Sequence, residues 1–169
     1  AARCPEPLQP AIAGPLPPLM LVVWIAQKLQ SPGPLFFWQT REGFHNDSFR
    51  ILKFRSMHVG DPTNEKLPTS QNDTRLYPFG SFMRKTSLDE FPQFWNVLRG
   101  EMSVVGPRPH LASYAKEYRR VHFRAYVRNF VKPGITGLAQ LSEVRGNVET
   151  SDQVVRRIES DIEYLENWS

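Results

Sequence analysis

Cysteine is almost missing from this chain: Cys4 is the single one in 169 residues. One thiol excludes an internal disulfide framework and fits a reducing compartment, with Cys4 a loose terminal thiol. Long apolar runs are missing too, for no stretch reaches the roughly 18 to 20 apolar residues that a straight bilayer-spanning helix needs. The longest candidate, LMLVVWIAQKLQ at 19–30, follows the proline-rich EPLQPAIAGPLPP. Its length suits a buried core helix, an interfacial helix or one leg of a re-entrant helix. The start has neither the basic leader nor the small-residue cleavage site of a signal peptide. There is no G-x-x-x-x-G-K-[ST] loop, no C-x-x-C and no H-E-x-x-H. His45, His58, His110 and His122 have no metal-ligand spacing and read as ordinary polar residues.

What is present is enough chain for one domain with a core, and a basic excess of 21 Lys and Arg over 17 Asp and Glu. Such a surface suits phosphates, nucleic acid or anionic lipid, without choosing among them. SPGP at 31–34 ends any preceding helix. LFFWQT and FRILKFRSM then flank REGFHNDS, whose Gly43, Asn46 and Asp47 form turns, and predict a hairpin. Residues 58–76 read as a polar loop and YPFGSFMRK as a short helix. MSVV is a short strand ending in GPRP, and VKPGITGLAQL a turn with an extended piece. Val154, Val155, Ile158, Ile162 and Leu165 mark a terminal amphipathic helix, capped by Ser151. The basic segment 111–130, with Tyr114, Tyr118, Phe123 and Tyr126 among its cations, suits a membrane surface, RNA or plain solvent.

The most informative stretch is RKTSLDEFPQFWNVLRGEMSVVGPRP, residues 84–109. Ser87 and Glu90 have capping-box spacing, but a helix begun at Asp89 puts Pro92 in the first turn, where no N–H partner is needed. Phe91, Phe94, Trp95 and Leu98 then form one apolar stripe read as core, and Gly100 is the stop. Asp89 and Glu90 are either dipole partners of that helix start or functional acids. Arg84, Lys85 and Arg108 flank them, and an arginine fork matches two phosphate oxygens at once. Two acids among arginines suit a metal-bound diphosphate: one carboxylate holds the metal while its neighbour attacks phosphorus. A solvated ion-pair network is the other reading.

SPGPLFFWQTREG, FRILKFRSM, NDTRLYPFGSFMRKTSLDEFPQFWNVLRGEMSVVGPRP, VKPGITGLAQ and DIEYLENWS, in this order, resemble the bacterial sugar transferases, the monotopic polyprenyl-phosphate phosphoglycosyl transferases. The resemblance covers nearly everything from residue 18 onward. GITGLAQ followed by Arg145 and Gly146, and the ending EYLENWS, resemble the undecaprenyl-phosphate glucose phosphotransferases of exopolysaccharide synthesis.

The resemblance implies an α+β fold: a small antiparallel hairpin, amphipathic helices and an N-terminal re-entrant membrane helix. Residues 1–34 are then a proline-rich start and membrane-associated helix, and 35–169 the catalytic domain. The family's Ser-Pro break matches Pro17 and Pro18, so the break survives without the serine, and the short leg before it, carrying Glu6, reads as incomplete. By resemblance Asp89 is the nucleophile that takes sugar phosphate from a UDP-sugar, Glu90 binds Mg2+, and UMP leaves. Polyprenyl phosphate then takes the group from the aspartate. Arg84, Arg108 and Arg145 match phosphate-binding arginines; Lys53 and Arg55 are further candidates that a strand could equally turn to solvent. The implied partners are UDP-glucose or UDP-galactose, polyprenyl phosphate and membrane lipids, with no nucleic acid and room for a homo-oligomer. The implied place is the cytoplasmic face of the bacterial inner membrane. The rivals are a basic RNA- or lipid-binding module without catalysis and a soluble Mg2+ phosphohydrolase.

Overall fold

The structure is a computed structural model that describes residues 16–60, 73–111, 120, 122–141 and 151–167. Cys4, the proline-rich start, Arg145 with Gly146, and positions 112–119 and 121 of the basic segment 111–130 lie outside the described residues.

Helix α1 (Leu16–Gln30) carries Pro17 and Pro18 in its first turn, where a missing N–H costs nothing. It ends where expected, at SPGP, with Gly33 at φ +151°. Strands β1 (Phe36–Glu42) and β2 (Ser48–Phe54) form the expected antiparallel hairpin. A 3-10 turn at its tip holds His45 and Asn46 at positive φ. Helix α2 (Pro78–Lys85) follows, then a 3-10 turn (Leu88–Gln93) running into helix α3 (Phe94–Leu98). Strand β3 (Ser103–Val105) pairs with β4 (Gly134–Thr136), Ser103 opposite Gly134 and Val105 opposite Thr136. This ladder is parallel, a pairing no local pattern announced. A 3-10 segment (Phe123–Phe130), helix α4 (Leu138–Leu141) and helix α5 (Ser151–Asn167) complete the described elements.

The chain forms two compact units: Ala1–Trp38 with Leu52–Trp95, and Gln39–Ile51 with Asn96–Ser169. In the first, Val23, Phe54, Tyr77 and Met83 are buried together, and Phe36 stacks on Phe54 with ring centres 5.7 Å apart. In the second, Val154, Ile158 and Ile162 of α5 close on Ala125, so the terminal helix buries the face its spacing predicted.

The stretch after Ser87 differs from expectation. Its helix starts at Leu88, as a 3-10 turn, and Ser87 is the N-cap in a left-handed conformation with no side-chain cap bond. A 3-10 turn advances about 120° per residue against 100° for an α-helix, so a stripe counted from Phe91 at α spacing loses phase. Trp95 is therefore 53% exposed, while Pro92, Gln93, Asn96 and Val97 are buried. Asn96 belongs inside because it bridges: its Nδ2 donates to the Arg50 carbonyl at 2.8 Å and to Glu101 at 2.7 Å. Gly100, at φ +76°, is the stop the sequence predicted.

Candidate active site

The first unit gathers charged residues from three elements. β2 supplies Lys53, α2 supplies Arg84, and the 3-10 turn supplies Asp89 and Glu90. Pro92 has no N–H to return to the Asp89 carbonyl, yet the 3-10 turn runs on to Gln93, and regular α-helix begins at Phe94, beyond the acids. Asp89 and Glu90 occupy the second and third positions of the turn, while the cap position belongs to Ser87. Asp89 is 7% exposed.

Lys53 reaches across from the strand, its Nζ donating to Glu90 Oε1 at 2.8 Å, with both side chains mostly buried. The solvent-facing alternative for Lys53 is thereby corrected: strand alternation turns it toward the acids. Arg84 donates from Nε to Ser56 Oγ at 2.8 Å. Burial pulls its guanidinium below the ordinary value, and Asp89, Asp73 and Glu90 push the other way, so these carboxylates share one electrostatic neighbourhood. Asp73 and Arg75 sit within the same field and were given no role by the sequence reading. Asp73 receives Arg75 through Nε at 2.8 Å and Nη2 at 2.5 Å, a bidentate pair. The signal for them was available: both lie in the NDTRL block that carries the resemblance.

Arg55 is placed otherwise. It is 6% exposed, and its guanidinium donates to the carbonyls of Pro34, Ser31 and Met57 and to Ser31 Oγ. Neither solvent nor an open surface faces this side chain; it ties the SPGP turn to the end of β2. Tyr77, wholly buried, donates its hydroxyl to the Arg55 carbonyl, and burial pushes its pKa up to about 12. Arg108 lies in the second unit, in the GPRP turn after β3, and Arg145 lies outside the described residues. The structure thus brings together Lys53, Arg84, Asp89 and Glu90 of the expected set.

Of the histidines, His110 is not an ordinary polar surface residue. Its ring nitrogen Nε2 is buried, and desolvation together with the charges of Arg128, Arg157, Arg41 and Arg108 holds its pKa well below 6.5. His122 caps the last 3-10 segment, its Nδ1 accepting from the Arg124 N–H at 3.2 Å.

The sequence profile described as bacterial sugar transferase matches residues 11–169. The chain belongs to the bacterial sugar transferase family. It is 46% identical over 154 residues to the UDP-glucose:undecaprenyl-phosphate glucose-1-phosphate transferase of Escherichia coli K12, covering 90% of this chain and 33% of that protein. It is 44% identical over 158 residues to the undecaprenyl-phosphate glucose phosphotransferase of Komagataeibacter xylinus, covering 91% and 30%. Against the UDP-N-acetylgalactosamine-undecaprenyl-phosphate N-acetylgalactosaminephosphotransferase of Aeromonas hydrophila it is 42% identical over 164 residues, 96% of this chain and 38% of that protein. The chain spans about a third of the length of these relatives. The two glucose-specific names and the N-acetylgalactosamine name stand at nearly equal identity, so identity alone does not rank the sugars.

Proposed function

We propose that this family member carries the transfer centre of a polyprenyl-phosphate glycosyl-1-phosphate transferase: sugar phosphate moves from a UDP-sugar to a polyprenyl phosphate and UMP leaves. The observation that carries the reading is the buried Asp89 next to a Glu90 already held by Lys53, in the field of Arg84. A carboxylate withdrawn from water and surrounded by fixed cations is a better nucleophile toward an anionic phosphate than a solvated one. Asp89 oxygen bonds to the phosphorus bearing the sugar, and the bond from that phosphorus to the UMP oxygen breaks. The acceptor's phosphate oxygen then forms its bond to phosphorus and Asp89 leaves as carboxylate. One phosphoanhydride replaces another, and the bond between sugar carbon and oxygen is untouched.

Lys53 and Arg84 would meet the phosphate oxygens, with Arg108 and Arg145 as further phosphate partners expected from the resemblance. The donor set fits Mg2+: a hard cation takes one or two carboxylates plus phosphate oxygens, and Asp89 and Glu90 are neighbouring carboxylates of one 3-10 turn. Glu90, with Asp89 alongside, would hold the ion, which supplies charge neutralisation to the phosphates when bound. The exposed apolar residues of α1, Leu21, Val22, Trp24, Ile25 and Leu29, support contact with a membrane interface. Among the described residues no helix is long and apolar enough to cross a membrane.

The test is mass spectrometry of protein incubated with UDP-sugar and Mg2+ but no lipid. A sugar-phosphate adduct on Asp89 is expected. Asp89→Asn should lose the adduct and transfer together, by at least about 10³-fold, and Glu90→Gln should lower the rate and raise the Mg2+ requirement. Full turnover by Asp89→Asn would mean that another residue is the nucleophile.

A further inference from the structure

Helix α1 and the residue after it bury one line, Val23, Gln27 and Ser31, at the spacing of a helix face. Val23 packs in the apolar cluster with Phe54, Tyr77 and Met83. A glutamine on that line, 1% exposed, stands where an apolar side chain would fill the space at lower cost, because a buried amide must find partners. Its Nε2 finds two. It donates to the Leu35 carbonyl at 3.2 Å and to the Arg55 carbonyl, 28 residues away, at 2.8 Å. An amide nitrogen carries two hydrogens, so both are used.

The Arg55 carbonyl accepts a second bond, from the hydroxyl of Tyr77, the residue before α2. The two lone pairs of that oxygen are thereby both taken. The peptide unit held in this way joins Arg55 to Ser56, and it lies between the attachments of two cations of the candidate centre. On one side Ser56 Oγ accepts from Arg84 Nε at 2.8 Å. On the other, Lys53 of β2 donates to Glu90 Oε1 at 2.8 Å. A turn of the Arg55–Ser56 peptide would carry the Arg84 acceptor and the strand end together. Charged groups of a reacting centre act well only when held to within about 0.5 Å by supporting hydrogen bonds.

We propose that Gln27 is a positioning residue of the transfer centre: its amide locks the Arg55–Ser56 peptide and so sets where Lys53 and Arg84 stand relative to Asp89 and Glu90. The proposal rests on the transfer reading above and adds to it a residue of α1, which that reading engages only through its exposed apolar side chains. Gln27 acts through the peptide and not on substrate.

Gln27→Met keeps the length and unbranched shape of the side chain and removes both donors. Two measurements on the full chain decide, at a temperature where the variant is folded by circular dichroism. The first is steady-state transfer: kcat is expected to fall about tenfold or more while the KM for UDP-sugar stays within about threefold of the parent's, since misplaced cations cost most where charge is being transferred. The second is acetylation by acetic anhydride, read residue by residue by mass spectrometry. Lys53 is paired and mostly buried, so its amine reacts slowly in the parent, and its labelling is expected to rise about threefold or more in the variant while Lys85 and Lys132 keep the parent's labelling. Unchanged labelling of Lys53 in the folded variant, or an equal rise at all three lysines, overturns the proposal, the second outcome because it marks general loosening. Where Gln27→Met fails to fold, Gln27→Asn, which keeps the amide and shortens its reach, decides by the same two measurements. Failure of the transfer reading would show differently, as absence of the Asp89 adduct in the parent while Lys53 is still released in Gln27→Met.

Discussion

At position 55 an arginine is spent on the backbone, and at position 53 a lysine two residues away is spent on a carboxylate. Both stand at the same strand end, and burial separates their roles. The Arg55 guanidinium satisfies three carbonyls and one hydroxyl, with its Cζ 5.7 Å from the centre of the Tyr77 ring. Lysine has no planar fork and reaches fewer of these acceptors. Arg55→Lys is expected to lower stability by about 2 to 3 kcal/mol, because buried carbonyls lose their donors. The denaturation midpoint of the full chain checks this. A midpoint equal to the parent's would mean that the acceptors find water instead.

Among the elements, α2 lies so close to the end of β2 that a side chain would not fit between them. A Cβ at Gly80 would come 2.0 Å from the Ser56 carbonyl oxygen and 2.8 Å from its carbon, both backbone atoms that cannot swing aside. Ser56 is also the residue whose Oγ accepts from Arg84 Nε. Gly80→Ala should therefore do two things at once. Overpacking costs about 1 to 3 kcal/mol, and the shift of Ser56 moves Arg84 relative to the acids. Expected are a lower melting temperature and, at a temperature where the variant is folded, a fall in transfer rate of about tenfold or more. A variant that melts early yet transfers at the parent rate would show that Ser56 does not position Arg84. The 3-10 turn works by the same logic: Ser87 at φ +59° and Pro92 fix where the two acids begin and where the regular helix resumes.

For the whole molecule the decisive feature is where its positive charge goes. The formal excess is +4, yet several arginines face inward rather than coating the surface. His110 records the consequence as a pH dependence. Desolvated beside Arg128, Arg157, Arg41 and Arg108, it protonates in the folded chain only well below 6.5, whereas unfolded it protonates near 6.5. The unfolded state thus binds more protons below that pH, so its contribution to stability is complete above about 6.5 and is lost as pH falls from there toward the depressed folded value. The four neighbours are guanidiniums and do not titrate in this range. The unfolding free energy of His110→Asn should decline less steeply than the parent's between pH 6.5 and 5. Parallel slopes would mean that His110 protonates as readily in the folded chain as in the unfolded one. Because the substitution also alters packing, the comparison is of slopes rather than of absolute stabilities.

The sequence by itself determined the local elements. Gly43, Asn46 and Asp47 fixed the hairpin turn, SPGP and Gly100 fixed two helix ends, and the spacing of Val154, Ile158 and Ile162 fixed the buried face of α5, since each depends on residues a few positions apart. The tertiary structure alone decided the rest: that Lys53 turns to Glu90, that Arg55 turns inward, that Trp95 is exposed while Asn96 is buried, that β3 and β4 run parallel, and that the charges of four arginines bear on His110. These rest on contacts between residues tens of positions apart and on a 3-10 turn that shifts the helical phase. A side chain's partner is set by distance in space, which no local spacing encodes.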